Sequence, residues 1–227
     1  MNGGGPDLTP VGLSALLAAV TAITLLVLAT PLAWWLAHTK SRGKVIVEAI
    51  TALPLVLPPT VLGFYLLVLM SPTAPLGRAF ATVTGTTLTF SFTGLVVASV
   101  IYSLPFAVQP LQAAFESIGR GPLEAAATLG ASPIDAFLTV ATPLALRGYI
   151  TAAVLTFAHT LGEFGVVLMV GGSIPGRTKV LSIAIYEHVE TIDYASAHVL
   201  SALMLAFSFC VLLAVFIINR RFPIRMS

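Results

Sequence analysis

The sequence predicts an all-α, polytopic membrane protein with five transmembrane helices, its N-terminus outside, its C-terminus cytoplasmic, and one ordered helical loop on the cytoplasmic side. Three observations lead there. Only 9% of the 227 residues are charged and 57% are hydrophobic, with a mean hydropathy of +1.00, whereas a soluble domain carries about a quarter charged residues. Uncharged apolar runs recur at the roughly 20-residue length that crosses a bilayer core. Basic residues gather on alternate loops, the asymmetry that orients membrane helices. A formal net charge of +2 gives no reason to expect a nucleic-acid partner. The single cysteine, Cys210, lies in an apolar run, so neither a disulfide framework nor a cysteine-based metal site is expected.

Residues 1–11 form a short exterior segment without a basic n-region, so the first apolar run is expected to stay in the membrane as a span. The transmembrane domain then fills residues 12–219. Its expected spans are 12–37, 45–70, 95–115, 144–170 and 195–218. The threonine- and glycine-rich stretch TVTGTTLTFSFTG before the third span is assigned to an exterior connection. Helices are required because the hydrocarbon offers no partner for free backbone groups, and nothing alternates as a barrel strand would. Lys40, Arg42, Lys44, Arg120, Arg147, Arg220, Arg221 and Arg225 fall on one side, against Arg78, Arg177 and Lys179 on the other. Eight against three places the loop 116–143 and the basic tail 220–227 in the cytoplasm.

That loop is unusually ordered for a connection. Gly121-Pro122-Leu123-Glu124 reads as a helix start, with proline at the first helical position and an acid near the positive end of the dipole. Gly130 suits a helix stop, because glycine tolerates the left-handed conformation. Ser132, Pro133 and Asp135 then encode a second start. Leu123, Ala126, Ala127 and Gly130 fall on one narrow, smooth face. Such a face suits docking of another backbone or packing onto the chain's own bundle.

Glu124-Ala125-Ala126, then Gly130, Val140 and Pro143 resemble the EAA loop of bacterial ABC-importer permeases. Val140 stands where that pattern has isoleucine and Thr142 where it has leucine. The stretches LPLVLPPTVLGFYLL (53–67) and LGEFGVVLMVGGSIPGRT (161–178) are similar to those of the molybdate branch, close to the tungstate and sulfate permeases. The resemblance runs from about residue 13 to 219. It implies that Glu124, Ala125, Ala126, Gly130 and Pro143 belong to a coupling segment received by a cytoplasmic ATPase subunit. It also implies a homodimer, an ATPase dimer, an external substrate-binding protein and surrounding lipid in the cytoplasmic (inner) membrane.

Within the spans, Pro54, Pro58 and Pro59 must kink or break the second helix. Broken helices near the midplane of transporters form substrate paths, and a static kink is the alternative; the resemblance implies a pathway in this region, so Pro58, Pro59, Thr60 and Gly63 are expected to line it. His159 and Glu163 lie four apart, on one face of the expected fourth span. Ionisable groups there are costly and usually functional; the resemblance of the LGEFG segment implies a place at the dimer interface near the translocation gate, with a satisfied packing pair as the alternative. No HExxH pattern accompanies them, and two ligands make a poor zinc site. Arg177 and Lys179 suit either an acidic partner surface or simple solvation. Trp34 and Trp35 read as interfacial anchors, and His198 as a helix-packing residue.

No GxxxxGK[ST] loop is present, so ATP and its Mg are expected on the partner ATPase, with no cofactor or metal in this chain. The expected function is the membrane subunit of an ATP-driven molybdate importer working by alternating access, and not an enzyme. Tungstate or sulfate is the alternative cargo. An ATP-independent channel or carrier, or an intramembrane hydrolase, is the distant alternative.

Overall fold

The computed structural model describes residues 7–221, with the side chains of 215 and 218–221 left outside that description. Part of the expected exterior segment and most of the basic tail 220–227 therefore lie outside the described residues. Among these residues helix is the only regular secondary structure, with no strand. Three helices are long and apolar enough to cross a membrane without interruption: α1 (Thr9–His38), α5 (Phe92–Ile118) and the apolar part of α12 (Tyr194–Arg221). Two bent pairs make five crossings if each counts as one.

The first bent pair is α2 (Lys44–Val56) with α3 (Pro59–Met70), which meet at 112°. The expected span 45–70 is thus not one rod. Pro58 and Pro59 cannot donate backbone hydrogen bonds, and α3 restarts with Pro58 as its N-cap. A short amphipathic helix, α4 (Pro75–Thr84), follows in the connection between the second and third expected spans. Ser91 then caps α5, its hydroxyl accepting from the Gly94 amide at 3.1 Å.

After α5 come α6 (Gly121–Thr128) and α7 (Pro133–Ala136), a five-residue π turn (Phe137–Ala141), a single turn α8 (Thr142–Leu144) and α9 (Leu146–Leu161). The π turn has a local cause. Pro143 has no amide proton for the Thr139 carbonyl one turn back, and just ahead of it the Phe137 carbonyl accepts from both the amide and the hydroxyl of Thr142, five residues on. The expected span 144–170 is interrupted as well. It stops at Leu161, breaks across Gly162-Glu163-Phe164, and resumes as α10 (Gly165–Gly171). A further helix, α11 (Leu181–Glu190), occupies what the sequence left as a loop, and it buries Leu181, Ile183 and Ala184.

The rigid centre is the trio α1, α5 and α9. α1 turns Ala18, Ala22, Leu25, Ala29 and Ala33 inward at near-helical spacing while Ile23 and Val27 point outward. In lipid, apolar side chains gain little by leaving the solvent, so helices associate through close backbone approach over small residues. Leu25, Ala29, Val108, Leu111, Phe115 and Ala152 fill the resulting core. Trp34 is more than an interfacial anchor: it packs edge-on to Phe115 and Phe137 with centroids 5.1 and 4.9 Å apart. Trp35 is exposed, and His198, expected to pack between helices, is exposed too.

Gly148 shows how closely α9 lies on α5: a Cβ there would sit 2.3 Å from the Ala114 Cβ and 3.1 Å from the Pro110 carbonyl oxygen. Both neighbours are fixed to a helix backbone. Gly148→Ala is therefore expected to cost about 1–3 kcal/mol, read as a lower midpoint of thermal unfolding in detergent.

Candidate functional site

The two helix breaks meet. The start of α3 lies against the start of α10, where a Cβ on Gly165 would come 2.8 Å from the Pro59 Cβ. Four residues along α3, a Cβ on Gly63 would meet the Met169 Cβ at 2.9 Å. Glycines on both half-helices thus permit a backbone approach that any side chain would prevent. Leu66, Met70, Ala98, Val166 and Val170 form the core beneath this crossing.

Beside the crossing lies a cleft of ≈ 520 Å³, lined by Pro59, Thr60, Tyr102, Ala158, His159, Gly162, Glu163, Phe164 and Gly165. Of the sequence-derived pathway residues, Pro59, Thr60, His159 and Glu163 come together here. Gly63 is buried in the crossing and Pro58 caps α3, so these two shape the cleft without lining it. His159 and Glu163 do not share one helical face, because α9 ends between them and Glu163 sits in the break.

Polar groups from two helices secure that break. Ser99 of α5 donates to Glu163 Oε2 at 2.8 Å. Ser182 of α11 donates to the Glu163 carbonyl at 2.6 Å, satisfying an acceptor that the interrupted helix releases. Glu163 is only 3% exposed, and its Oε1 has no partner among the described residues. One turn away, Ser103 bonds both His159 Nδ1 at 2.9 Å and the Thr160 hydroxyl at 3.0 Å. The His159 ring stacks on Phe106 at 4.1 Å and lies 4.7 Å from Tyr102. Sequence reasoning missed Ser99, Tyr102, Ser103 and Ser182. A signal existed for the first three: polar residues at i, i+3 and i+4 within an apolar helix mark one face. Ser182 carried none, since α11 itself was not anticipated.

No group of three or more metal-ligating side chains is found among the described residues. Lys179 does not stand free as a solvated charge. It pairs with Glu187, which also accepts from Ser173, and this clamp ties the segment after α10 to α11. Partial burial pushes the Glu187 carboxyl up, but Lys179 and the Ser173 hydroxyl outweigh it and hold the group below the usual range. Arg177 is exposed.

At the other end of α9, the capped loop forms as its residues dictate. Ser132 accepts from the Asp135 amide at 3.2 Å. α6 closes with two bonds, Gly130 amide to Ala127 carbonyl at 3.0 Å and Ala131 amide to Ala126 carbonyl at 3.1 Å, with Gly130 at φ +89°. The smooth face is split, however. Leu123 and Ala126 are half-buried toward the π turn, while Glu124, Ala125, Ala127 and Gly130 are exposed. Leu129 and Ile134 stand out at 89% and 72% exposure, so the outward surface is more apolar than the alanine face suggested. Pro143 is exposed beyond the π turn.

The Ser99–Glu163 bond yields a direct expectation. Ser99→Ala leaves a buried carboxyl without a side-chain partner and is expected to cost about 1–3 kcal/mol, whereas Ser99→Thr, which keeps the hydroxyl, should recover most of it. Thermal unfolding of the purified protein measures both.

Residues 29–224 match the family described as binding-protein-dependent transport system inner membrane component. The chain is 57% identical over 221 residues to the molybdenum transport system permease protein ModB of Azotobacter vinelandii, covering 97% of each. It is 35% identical to the sulfate transport system permease protein CysT of Synechocystis, covering 91% of this chain and 74% of that one. Its fold matches that of a chain in the inward-facing MetNI methionine ABC transporter, with a TM-score of 0.72, 19% identity, and coverage of 93% and 94%. Broken helices around a cleft that carries a few polar groups, a capped loop at one end of the bundle, and these matches agree: the chain belongs to the family of inner membrane components of binding-protein-dependent transport systems.

Proposed function

We propose that this chain is the membrane-spanning subunit of an ATP-driven importer of molybdate. The observation that carries the cargo is the 57% identity to a molybdenum permease across 97% of both chains, against 35% for a sulfate permease. Two copies of the chain form the path, with the N-terminus outside, and an external binding protein delivers the oxyanion. Two ATPase subunits on the cytoplasmic side hold ATP and Mg. The exposed, capped α6–α7 segment supports their docking place, with Glu124, Ala125, Ala126, Gly130 and Pro143 as the coupling set. The cleft of Pro59, Thr60, His159 and Glu163 supports a path, with Pro58 and Gly63 fixing the half-helix that borders it.

Nothing in this mechanism requires the chain to make or break a bond. ATP binding draws the ATPase subunits together and moves the segments docked on them. The membrane helices then exchange between outward- and inward-open states because nucleotide binds one state better than the other. At the cleft, Glu163 holds α5, α11 and the break together, so the α9–α10 junction is fixed by polar contacts rather than by continuous helix.

Reconstitution into proteoliposomes with the ATPase and binding protein tests the reading. ATP-dependent uptake of molybdate in preference to tungstate and sulfate is expected; uptake that ignores ATP overturns the assignment. Gly130→Val tests the coupling segment. A β-branched residue at φ +89° strains the cap by about 1–2 kcal/mol and places a branched side chain on the exposed surface of the turn. Membrane insertion should persist while uptake falls about tenfold or more, a step of about 1.4 kcal/mol in a rate barrier. Normal uptake in that variant would remove the docking role from this loop.

A further inference from the structure

We propose that Thr60, Tyr102 and His159 form a transient oxyanion site built from neutral hydrogen-bond donors, and that Ser103 sets the donor form of His159 from behind. This deepens the oxyanion reading above and rests on it.

All three side chains line the same cleft, from α3, α5 and α9. Neither the Thr60 hydroxyl, the Tyr102 hydroxyl nor His159 Nε2 has a hydrogen-bond partner among the described residues. Thr60 is exposed, and Tyr102 and His159 are half-buried with neither atom among the fully buried unpaired ones, so all three residues keep accessible surface beside the cleft they line. Thr60 also stands in the first turn of the twelve-residue α3, where the Val61 and Leu62 amides are taken by the Pro58 carbonyl and the Thr60 amide has no helical partner. A tetrahedral oxyanion presents only acceptors, so a wall of unpaired donors complements it. No lysine or arginine lines the cleft.

The state of His159 follows from proton accounting. Ser103 contacts both His159 Nδ1 and the Thr160 hydroxyl, and Ser103 and Thr160 are 0% and 4% exposed. A serine hydroxyl has one proton to give. If Thr160 donates to Ser103 and Ser103 donates to Nδ1, every buried proton in the chain is used, and Nε2 carries the ring proton into the cleft. The reverse arrangement, Nδ1–H to Ser103 to Thr160, strands the buried Thr160 proton, for which no other acceptor is found among the described residues. Buried polar groups are nearly always paired, which selects the first arrangement. The stack on Phe106 then fixes the ring plane.

Glu163 is not part of this donor set. Ser99 holds its Oε2, and its Oε1 is closed off from the accessible space. A volume of ≈ 520 Å³ also leaves room for several waters, each about 30 Å³. Donors without a fixed cation, in a wet cleft, give contact without tight capture, which suits a path that must empty on each cycle.

The test uses the complete transporter in proteoliposomes, with radiolabelled molybdate as the probe and molybdate moved per ATP hydrolysed as the readout. Tyr102→Phe removes one hydroxyl and keeps the ring; the readout is expected to fall roughly tenfold, the size of one hydrogen bond to a charged group. Thr60→Val should move it in the same direction. Ser103→Ala never touches the anion, yet it should reproduce much of the loss seen in His159→Ala, and the double variant should be no worse than His159→Ala alone. Nitrogen-15 spectra of histidine-labelled transporter should show the Nε2–H tautomer of His159, lost in Ser103→Ala. An unchanged readout in both Tyr102→Phe and Thr60→Val, or an Nδ1–H tautomer in the unaltered protein, overturns the site. If His159→Ala fails to assemble, Tyr102→Phe and Thr60→Val still decide. An unaltered transporter that moves no molybdate fails the transport reading and this site with it, whereas normal uptake with unaffected variants fails the site alone.

Discussion

A helix broken inside an apolar medium frees carbonyls and amides that the medium cannot satisfy. The architecture depends on how that constraint is met at Glu163. Its carbonyl, released by the end of α9, accepts from Ser182, and its carboxyl accepts from Ser99. One residue therefore fastens α5 and α11 to the junction of α9 and α10. Without such partners the fourth crossing would have to be a continuous helix, and the cleft beside it would close.

The break between α2 and α3 is met differently. Pro58 and Pro59 have no amide protons to orphan, so a proline pair opens α2 from α3 while creating fewer unsatisfied donors than other residues would. The carbonyl of Pro58 is taken up by the amides of Val61 and Leu62. Gly63 and Gly165 then let the two restarted helices cross almost backbone to backbone. The breaks thus stabilise each other through contact, and the polar lining gathers where they touch.

These irregular parts are supported by a regular frame. α1, α5 and α9 pack through alanine and glycine, and the Trp34–Phe115–Phe137 cluster joins the end of α1 to the end of α5 and to the π turn after the capped loop. The loop is therefore connected to α9 by packed structure rather than by a flexible tether. Its outward side carries Leu129 and Ile134, apolar groups that in a solvated loop gain from a partner's cover.

The sequence alone determined what local chemistry controls. Charge depletion and run length made the chain a membrane protein; Pro122, Gly130, Ser132 and Pro133 specified the capped double turn, because caps depend on neighbours a few residues away. Pro58 and Pro59 marked the first break for the same reason. The second break was not legible. Gly162-Glu163-Phe164 contains no proline, and as an isolated segment it continues the helical pattern of α9. Only tertiary structure decided it, because the groups that satisfy the interruption, Ser99 and Ser182, lie 64 residues before and 19 residues after Glu163. The same holds for α11, for Trp34, and for the union of Thr60, Tyr102 and His159 in one cleft: each depends on groups brought together across the bundle, and periodicity along the chain does not encode them.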